Sequence, residues 1–115
     1  MKLNLDYVEG KWFKYKGDAE VKIKMLSFSK AFGINLRRNP DKIDGVIDET
    51  TLEELYFVYD ECLEDWKGFE TPDGKELKCN PKNKKLYFEA SREFSEFVIE
   101  KQQELRDSFE TSLKN

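Results

Sequence analysis

Residues 65–85 constrain the fold more than any other stretch, because they combine a helix exit, a tight turn and a helix start. In Pro72-Asp73-Gly74 the proline presets φ, the aspartate can bond the backbone ahead of it, and the glycine accepts positive φ. These three residues predict a β-turn. Asn80-Pro81 then supplies an N-cap side chain and a proline whose missing N–H costs nothing in a first helical turn. A helix is therefore expected to begin at residue 81.

A β-hairpin is predicted over about 11–26. Residues 12–15 are rich in strand formers, and residues 16–19 contain turn residues. From residue 20 to residue 25, polar and apolar side chains alternate with the period of a strand. This alternation places Val21, Ile23 and Met25 on the buried face, and Glu20, Lys22 and Lys24 in water.

Helical spacing dominates the second half of the chain. Thr50 and Glu53 match a capping box, which predicts a helix over about 51–66. The apolar face of this helix comprises Leu52, Leu55, Tyr59, Leu63 and Trp66. A turn-bearing connector, with room for a short second hairpin, is expected at 67–79. Two further helices are predicted over about 81–90 and 92–113, with Ser91 between them.

The segment between the hairpin and the central helix has mixed signals. Ser27 or Ser29 can cap a helix that covers about 30–33 or extends beyond it, while the alternation of Ile34 and Leu36 also fits a strand. Breaker residues predict a loop over 39–49. The chain is expected to form a single domain, 1–115, of the α+β class: an N-terminal β-hairpin packed on a predominantly helical domain with a long C-terminal helix.

The absence of histidine excludes whole classes of site. Nucleophiles activated by an imidazole and zinc sites that contain histidine both need this residue, and Cys62 and Cys79 are too few for a four-cysteine site. We predict a protein that is not an enzyme and uses no cofactor. No long apolar run and no secretory leader are present, so the chain is expected to be cytoplasmic, without membrane contact and with reduced thiols.

Two acidic clusters suggest cation binding as an alternative. On the predicted central helix, i,i+4 spacing would pair Asp60 with Glu64 and Glu61 with Asp65. These carboxylates could hold a divalent cation for an enzyme, or form a solvated helix face. The second cluster, Asp41, Asp44, Asp48 and Glu49, lacks the order of a calcium loop.

Two basic clusters, Arg37-Arg38 and Lys82-Lys84-Lys85, suggest a nucleic-acid-associated or regulatory protein as a further alternative. The net charge of −4 argues against it, because phosphate binding requires clustered cations that outweigh the acidic residues. Nucleic acid is therefore an unlikely partner.

Surplus aromatic side chains favour a protein partner. Trp12 and Phe13 are consecutive, so in a strand they point to opposite faces, and one of them or Tyr15 stays available for contact. The last helix spans about 30 Å, which is longer than a small core needs. Phe109 and Leu113 are thus expected to project and to contact a partner or a second copy.

The order of several segments resembles that of small phage and prophage proteins encoded among tail or head–tail genes. The residues that carry the resemblance are Trp12-Phe13, residues 20–24, Trp66-Lys67-Gly68-Phe69, Asp73-Gly74-Lys75, residues 79–86 and residues 94–98. The resemblance implies a role in virion assembly, such as that of a tail-assembly chaperone or a minor tail component. It implies other tail proteins, or copies of the chain itself, as partners, and it transfers no functional residue.

Overall fold

The computed structural model describes residues 3–37 and 49–113, and the side chains of residues 3–32 and 52–113. Within these ranges the elements are α1 (Asp6–Glu9), β1 (Lys11–Lys14), β2 (Glu20–Ile23), α2 (Phe28–Arg37), α3 (Glu49–Cys62), β3 (Leu63–Lys67), α4 (Pro81–Ala90) and α5 (Arg92–Ser112). The class is α+β, as predicted, with an N-terminal hairpin and a long C-terminal helix that packs against β2.

The predicted hairpin is formed by β1 and β2, and β2 is the middle strand of an antiparallel sheet in the order β1–β2–β3. Val21, Ile23 and Met25 are buried, which confirms the alternation. Phe13 pairs with Val21 and packs on the core, whereas Trp12 pairs with Lys22 on the outer face. The two adjacent aromatic residues therefore point to opposite faces, as predicted.

The predicted helix over about 51–66 is wrong at its C-terminal end. α3 ends at Cys62, and β3 follows directly and covers the edge of β2 that β1 leaves free. A β-bulge adds one residue to β3, so Leu63 pairs with Ile23 while Asp65 pairs with Lys22. Both Leu63 and Trp66 are buried as a result. A bulged strand thus reproduces the three-residue apolar spacing from which the helix was predicted.

The starts of α2 and α3 also differ from the prediction. α2 begins earlier and ends later than the predicted helix, and the Oγ of Ser27 accepts a hydrogen bond of 3.3 Å from the N–H of Lys30. The strand alternative for residues 33–36 is wrong, because these residues are helical. α3 begins before Thr50, so Thr50 is not its N-cap. Apart from Glu49, the loop predicted at 39–49 and the second acidic cluster lie outside the described residues.

The turn in the connector and the starts of the last two helices form at the residues that predicted them. Gly74 has φ +85° and its N–H donates to the carbonyl of Thr71 at 2.9 Å, and a single bridge between Glu70 and Glu76 forms the second hairpin. The side chain of Asn80 caps α4, and that of Ser91 caps α5. The predicted starts of α4 and α5 are confirmed, and α5 ends one residue early.

Aromatic rings from six segments meet at the centre of the core. Phe94 is 1% exposed. Its ring lies 5.3–6.0 Å from the rings of Tyr15, Tyr59, Trp66, Phe69 and Tyr87. The indole N–H of Trp66 donates to Leu77 O, and the hydroxyl of Tyr59 donates to Lys84 O, both at 2.7 Å. The indole N–H of Trp66 and the hydroxyl of Tyr59 are therefore hydrogen-bonded, so neither ring buries an unpaired polar group.

Candidate protein-binding surfaces

An apolar groove of about 440 Å³ lies between the N-terminal halves of α3 and α5, beside the end of α4. Its floor consists of Leu52, Leu55, Phe88 and Ile99. Leu52 and Leu55 were predicted to be on the buried face of α3, but they are 51% and 36% exposed. The apolar face of α3 thus continues beyond the part that α4 and α5 cover. Side chains of this size gain free energy when a partner removes them from water.

The rim of the groove carries excess negative charge. Glu96 accepts a hydrogen bond of 2.7 Å from Nε of Arg92, and this bond raises the pKa of the arginine. Glu89 and Glu100 also line the groove, and neither has an ion-pair partner in the described part of the chain. The hydroxyl of Ser95 is shared between two backbone carbonyls. The groove therefore offers apolar contact and an acidic border.

A pair of phenylalanines on α2 forms a second exposed apolar feature, which the sequence reasoning missed. Phe28 and Phe32 are 75% and 53% exposed, and their rings stack with centroids 6.0 Å apart. Their i,i+4 spacing was the available signal. α2 contains Lys30 and Arg37 and no acidic residue. It is therefore a basic helix with an exposed aromatic pair.

The chain just before α2 is held firmly to α5. The N–H of Leu26 donates to Oε1 of Gln102 at 3.3 Å, and the carbonyl of Leu26 accepts from the guanidinium of Arg106. Gln102 is only 7% exposed, so its amide oxygen satisfies a backbone N–H in a buried position. These bonds fix the point from which α2 leaves the body of the protein.

The predicted contact residues of the hairpin are mostly used inside the protein. The ring of Tyr15 lies 4.8 Å from that of Phe97, and burial raises the pKa of its phenol. Phe13 packs on the core. Trp12 is half-buried on the outer face of the sheet, with the Nζ of Lys67 4.1 Å from its ring centroid. Of these three rings, Trp12 is the one that faces away from the core.

The end of α5 is partly covered by an element that was not predicted. Phe109 stacks on Tyr7 of α1, with ring centroids 5.6 Å apart and planes 22° apart. The expectation that Phe109 projects from the body is therefore wrong, because α1 packs against this part of α5. Leu113 is 50% exposed, as expected.

The acidic cluster at 60–65 does not form the predicted i,i+4 pairs, because α3 ends at Cys62. Its carboxylates are used separately: Asp60 pairs with Lys84 at 3.0 Å, and Glu64 pairs with Lys24 at 2.7 Å. In the described part of the chain, no group of three or more potential metal ligands comes together. The observation that motivated the cation alternative is thus removed.

The basic cluster at 82–85 is also divided. Nζ of Lys84 binds both the carboxylate and the backbone oxygen of Asp60, and the side chain is 13% exposed. Lys84 is therefore neutralised and cannot contribute to a phosphate-binding patch. The side chains of Arg37 and Arg38 lie outside the described residues, so the composite patch is not tested.

The two cysteines are structural. Cys62 is fully buried, and burial raises the pKa of its thiol to about 12; the pKa of Cys79 is raised to about 11 for the same reason. Neither side chain forms a disulfide. A thiol that resists ionisation is a poor nucleophile, so both residues fit the prediction of structural packing.

The raised pKa of Cys62 predicts a loss of stability at alkaline pH. Above pH 9 the unfolded chain loses a thiol proton that the folded chain retains up to about pH 12, so rising pH favours unfolding in this window. Between pH 8 and pH 10 this proton accounts for a loss of about 1.4 kcal/mol. Urea unfolding under reducing conditions should show that Cys62→Ala loses less stability over this interval than the natural chain. Equal losses in both proteins would contradict the prediction.

Within the described ranges, no helix has the length and apolar character needed to cross a bilayer. Comparison with family models, with curated proteins and with solved structures finds no match to this chain.

Proposed function

We propose that this chain is a non-enzymatic protein–protein interaction module that acts in phage or prophage tail assembly. The observation that carries the proposal is the acidic-rimmed apolar groove between α3 and α5. The setting in tail assembly and a cytoplasmic location follow from the sequence resemblance and composition, and they are part of the proposal.

The groove has the character of a helix-binding surface. Its floor contains leucines from two successive turns of α3 together with Ile99 of α5. A trough between two helices can receive a third amphipathic helix that places residues at i, i+3 and i+4 against its apolar lining. The acidic rim favours a partner helix that carries basic residues beside its apolar face.

Binding to the products of neighbouring tail genes tests this function. Each product is purified and titrated against the immobilised chain. We expect Leu52→Glu/Leu55→Glu to weaken the complex about 30-fold, because two charges would enter an apolar contact. Leu86→Glu is the matched control, since Leu86 is 54% exposed but lies outside the groove, and it should change affinity less than about 3-fold.

Two results would contradict the proposal. In the first, a neighbouring product binds the groove variant as tightly as the natural chain. In the second, the chain binds neither a neighbouring product nor itself. Thermal melting of each variant, which should remain cooperative, separates lost binding from lost folding.

A further inference from the structure

We infer that the groove binds a helical segment with a basic residue at each end of a short apolar centre, in the order basic-x-x-apolar-apolar-x-x-basic. The inference rests on the proposed function and specifies the charge pattern of the partner helix. It follows from where the rim of the groove carries unpaired negative charge and where that charge is balanced.

The charged side chains of the groove form a row along α5. Arg92, Glu96 and Glu100 are spaced four residues apart and all line the groove, so the row follows one side of α5 for about 12 Å. Glu89, at the end of α4, also lines the groove and is three residues before Arg92 in the chain. Glu89 and Glu100 therefore lie towards opposite ends of the row, with Glu96 between them.

The negative charge is unpaired at the two ends of this row and balanced between them. Nε of Arg92 donates to Oε1 of Glu96 at 2.7 Å, so this carboxylate already has a cation beside it. Glu89 and Glu100 are exposed, and neither has an ion-pair partner among the described residues. Three carboxylates and one guanidinium leave a net charge of −2 on the rim, and the excess belongs to Glu89 and Glu100.

The floor between the two ends is apolar. It is lined by Leu52, Leu55, Phe88 and Ile99. The hydroxyl proton of Ser95, which also lines the groove, is already used by the backbone carbonyls of Phe88 and Ser91. The centre of the floor therefore favours apolar side chains and disfavours a charge, which would lose its hydration there without gaining a partner.

One face of a helix has this same pattern. Residues i, i+3, i+4 and i+7 share a face, and i and i+7 are about 10 Å apart along the axis. Apolar residues at i+3 and i+4 contact the floor, while lysine or arginine side chains at i and i+7 extend their charged ends to Glu89 and Glu100. Acidic residues at i and i+7 would be repelled, so the groove discriminates against an acidic amphipathic helix of the same shape.

Fluorescence anisotropy with synthetic helical peptides and the full chain tests this inference. The first peptide has Leu at i+3 and i+4, Lys at i and i+7, and Ala or Gln elsewhere. The second has Glu in place of Lys, and the third carries its two Lys on the opposite face, at i+2 and i+9. At about 50 mM salt the natural chain should bind the first peptide about 10-fold more tightly than the second and about 3-fold more tightly than the third. Raising the salt to about 500 mM should remove most of this difference.

Reversing the charges on the protein is the decisive step. Glu89→Lys/Glu100→Lys should prefer the second peptide to the first by about 10-fold. Glu104→Lys is the matched control and should keep the natural preference. Glu104 is one turn beyond Glu100 on α5, but it pairs with Lys101 and does not line the groove.

Removing the apolar floor should weaken both peptides. Leu52→Asn/Leu55→Asn leaves the charge of the chain unchanged, so it should bind each peptide at least about 10-fold more weakly than the natural chain does. Thermal melting of every variant should remain cooperative, which separates lost binding from lost folding.

Three results would overturn the inference: equal affinity of the natural chain for the first two peptides, a charge-reversed variant that keeps the natural preference, or no binding of the first peptide up to about 1 mM. In each case, binding of a neighbouring gene product that depends on Leu52 and Leu55 would leave the proposed function standing with a partner of different charge. The absence of such binding would remove both.

Discussion

Replacing Phe94 with alanine should lower the free energy of unfolding by about 4 kcal/mol, the range for a fully buried phenylalanine. The ring is in contact with rings from the end of the hairpin, α3, β3, the connector and α4. Alanine would leave a cavity that these large, rigid side chains cannot fill by small shifts. Since a domain of this size has about 5–15 kcal/mol of stability, the variant should be close to unfolding.

Urea denaturation followed by tryptophan fluorescence measures this loss, because Trp66 lies in the same cluster. Phe28→Ala is the matched control. Phe28 is 75% exposed, so its replacement should cost less than about 0.5 kcal/mol. If Phe94→Ala lowers the free energy of unfolding by less than about 1.5 kcal/mol, the surrounding rings repack into the cavity and the prediction is wrong.

Replacing Gly68 with alanine should destabilise the fold by about 3 kcal/mol, from two separate causes. Gly68 has φ +77°, a conformation that costs a residue with a Cβ about 1–2 kcal/mol. A Cβ at this position would also lie 2.9 Å from the carbonyl oxygen of Asp18 and 3.0 Å from Cα of Ala19. Both neighbours are backbone atoms of the hairpin, so neither can move aside without disturbing the sheet.

Gly74→Ala separates the two causes. Gly74 has φ +85°, but a Cβ there would meet nothing within 4 Å. This variant should therefore lose only the cost of the backbone conformation, about 1 kcal/mol. The change in the unfolded chain is the same for both substitutions and cancels in the comparison. Equal losses at the two positions would show that the close approach of Gly68 to the hairpin contributes nothing.

Elements with local signals were predictable from the sequence. The alternation of β2, the Asn80-Pro81 start of α4 and the Ser91 cap of α5 each depend on residues within a few positions of one another. The structure confirms all three because backbone hydrogen bonding and capping act over that short range. The burial of Cys62 was predicted from its position beside Leu63, which is also buried.

The candidate site was far less predictable. Leu52 and Leu55 continue the apolar face of α3, and nothing in their spacing indicates that α4 and α5 fail to cover them. Phe109 looked unpartnered because the four residues of α1 are too few to give a periodic signal. Trp12 and Phe13 were correctly predicted to lie on opposite faces of the strand, but which of them faces away from the core depends on the side of the sheet that the helices cover.

By itself the sequence determined the α+β class, the hairpin, the turn at 72–74, the starts of the last two helices and the lack of histidine chemistry. Tertiary structure decided whether Leu63 and Trp66 belong to a helix or to a bulged strand. A helix and a bulged strand can each bury residues that are three positions apart, and only pairing with the free edge of β2 favours the strand. It also decided which apolar side chains stay in water. Burial is a property of how elements pack against one another, and residues distant in the chain determine it.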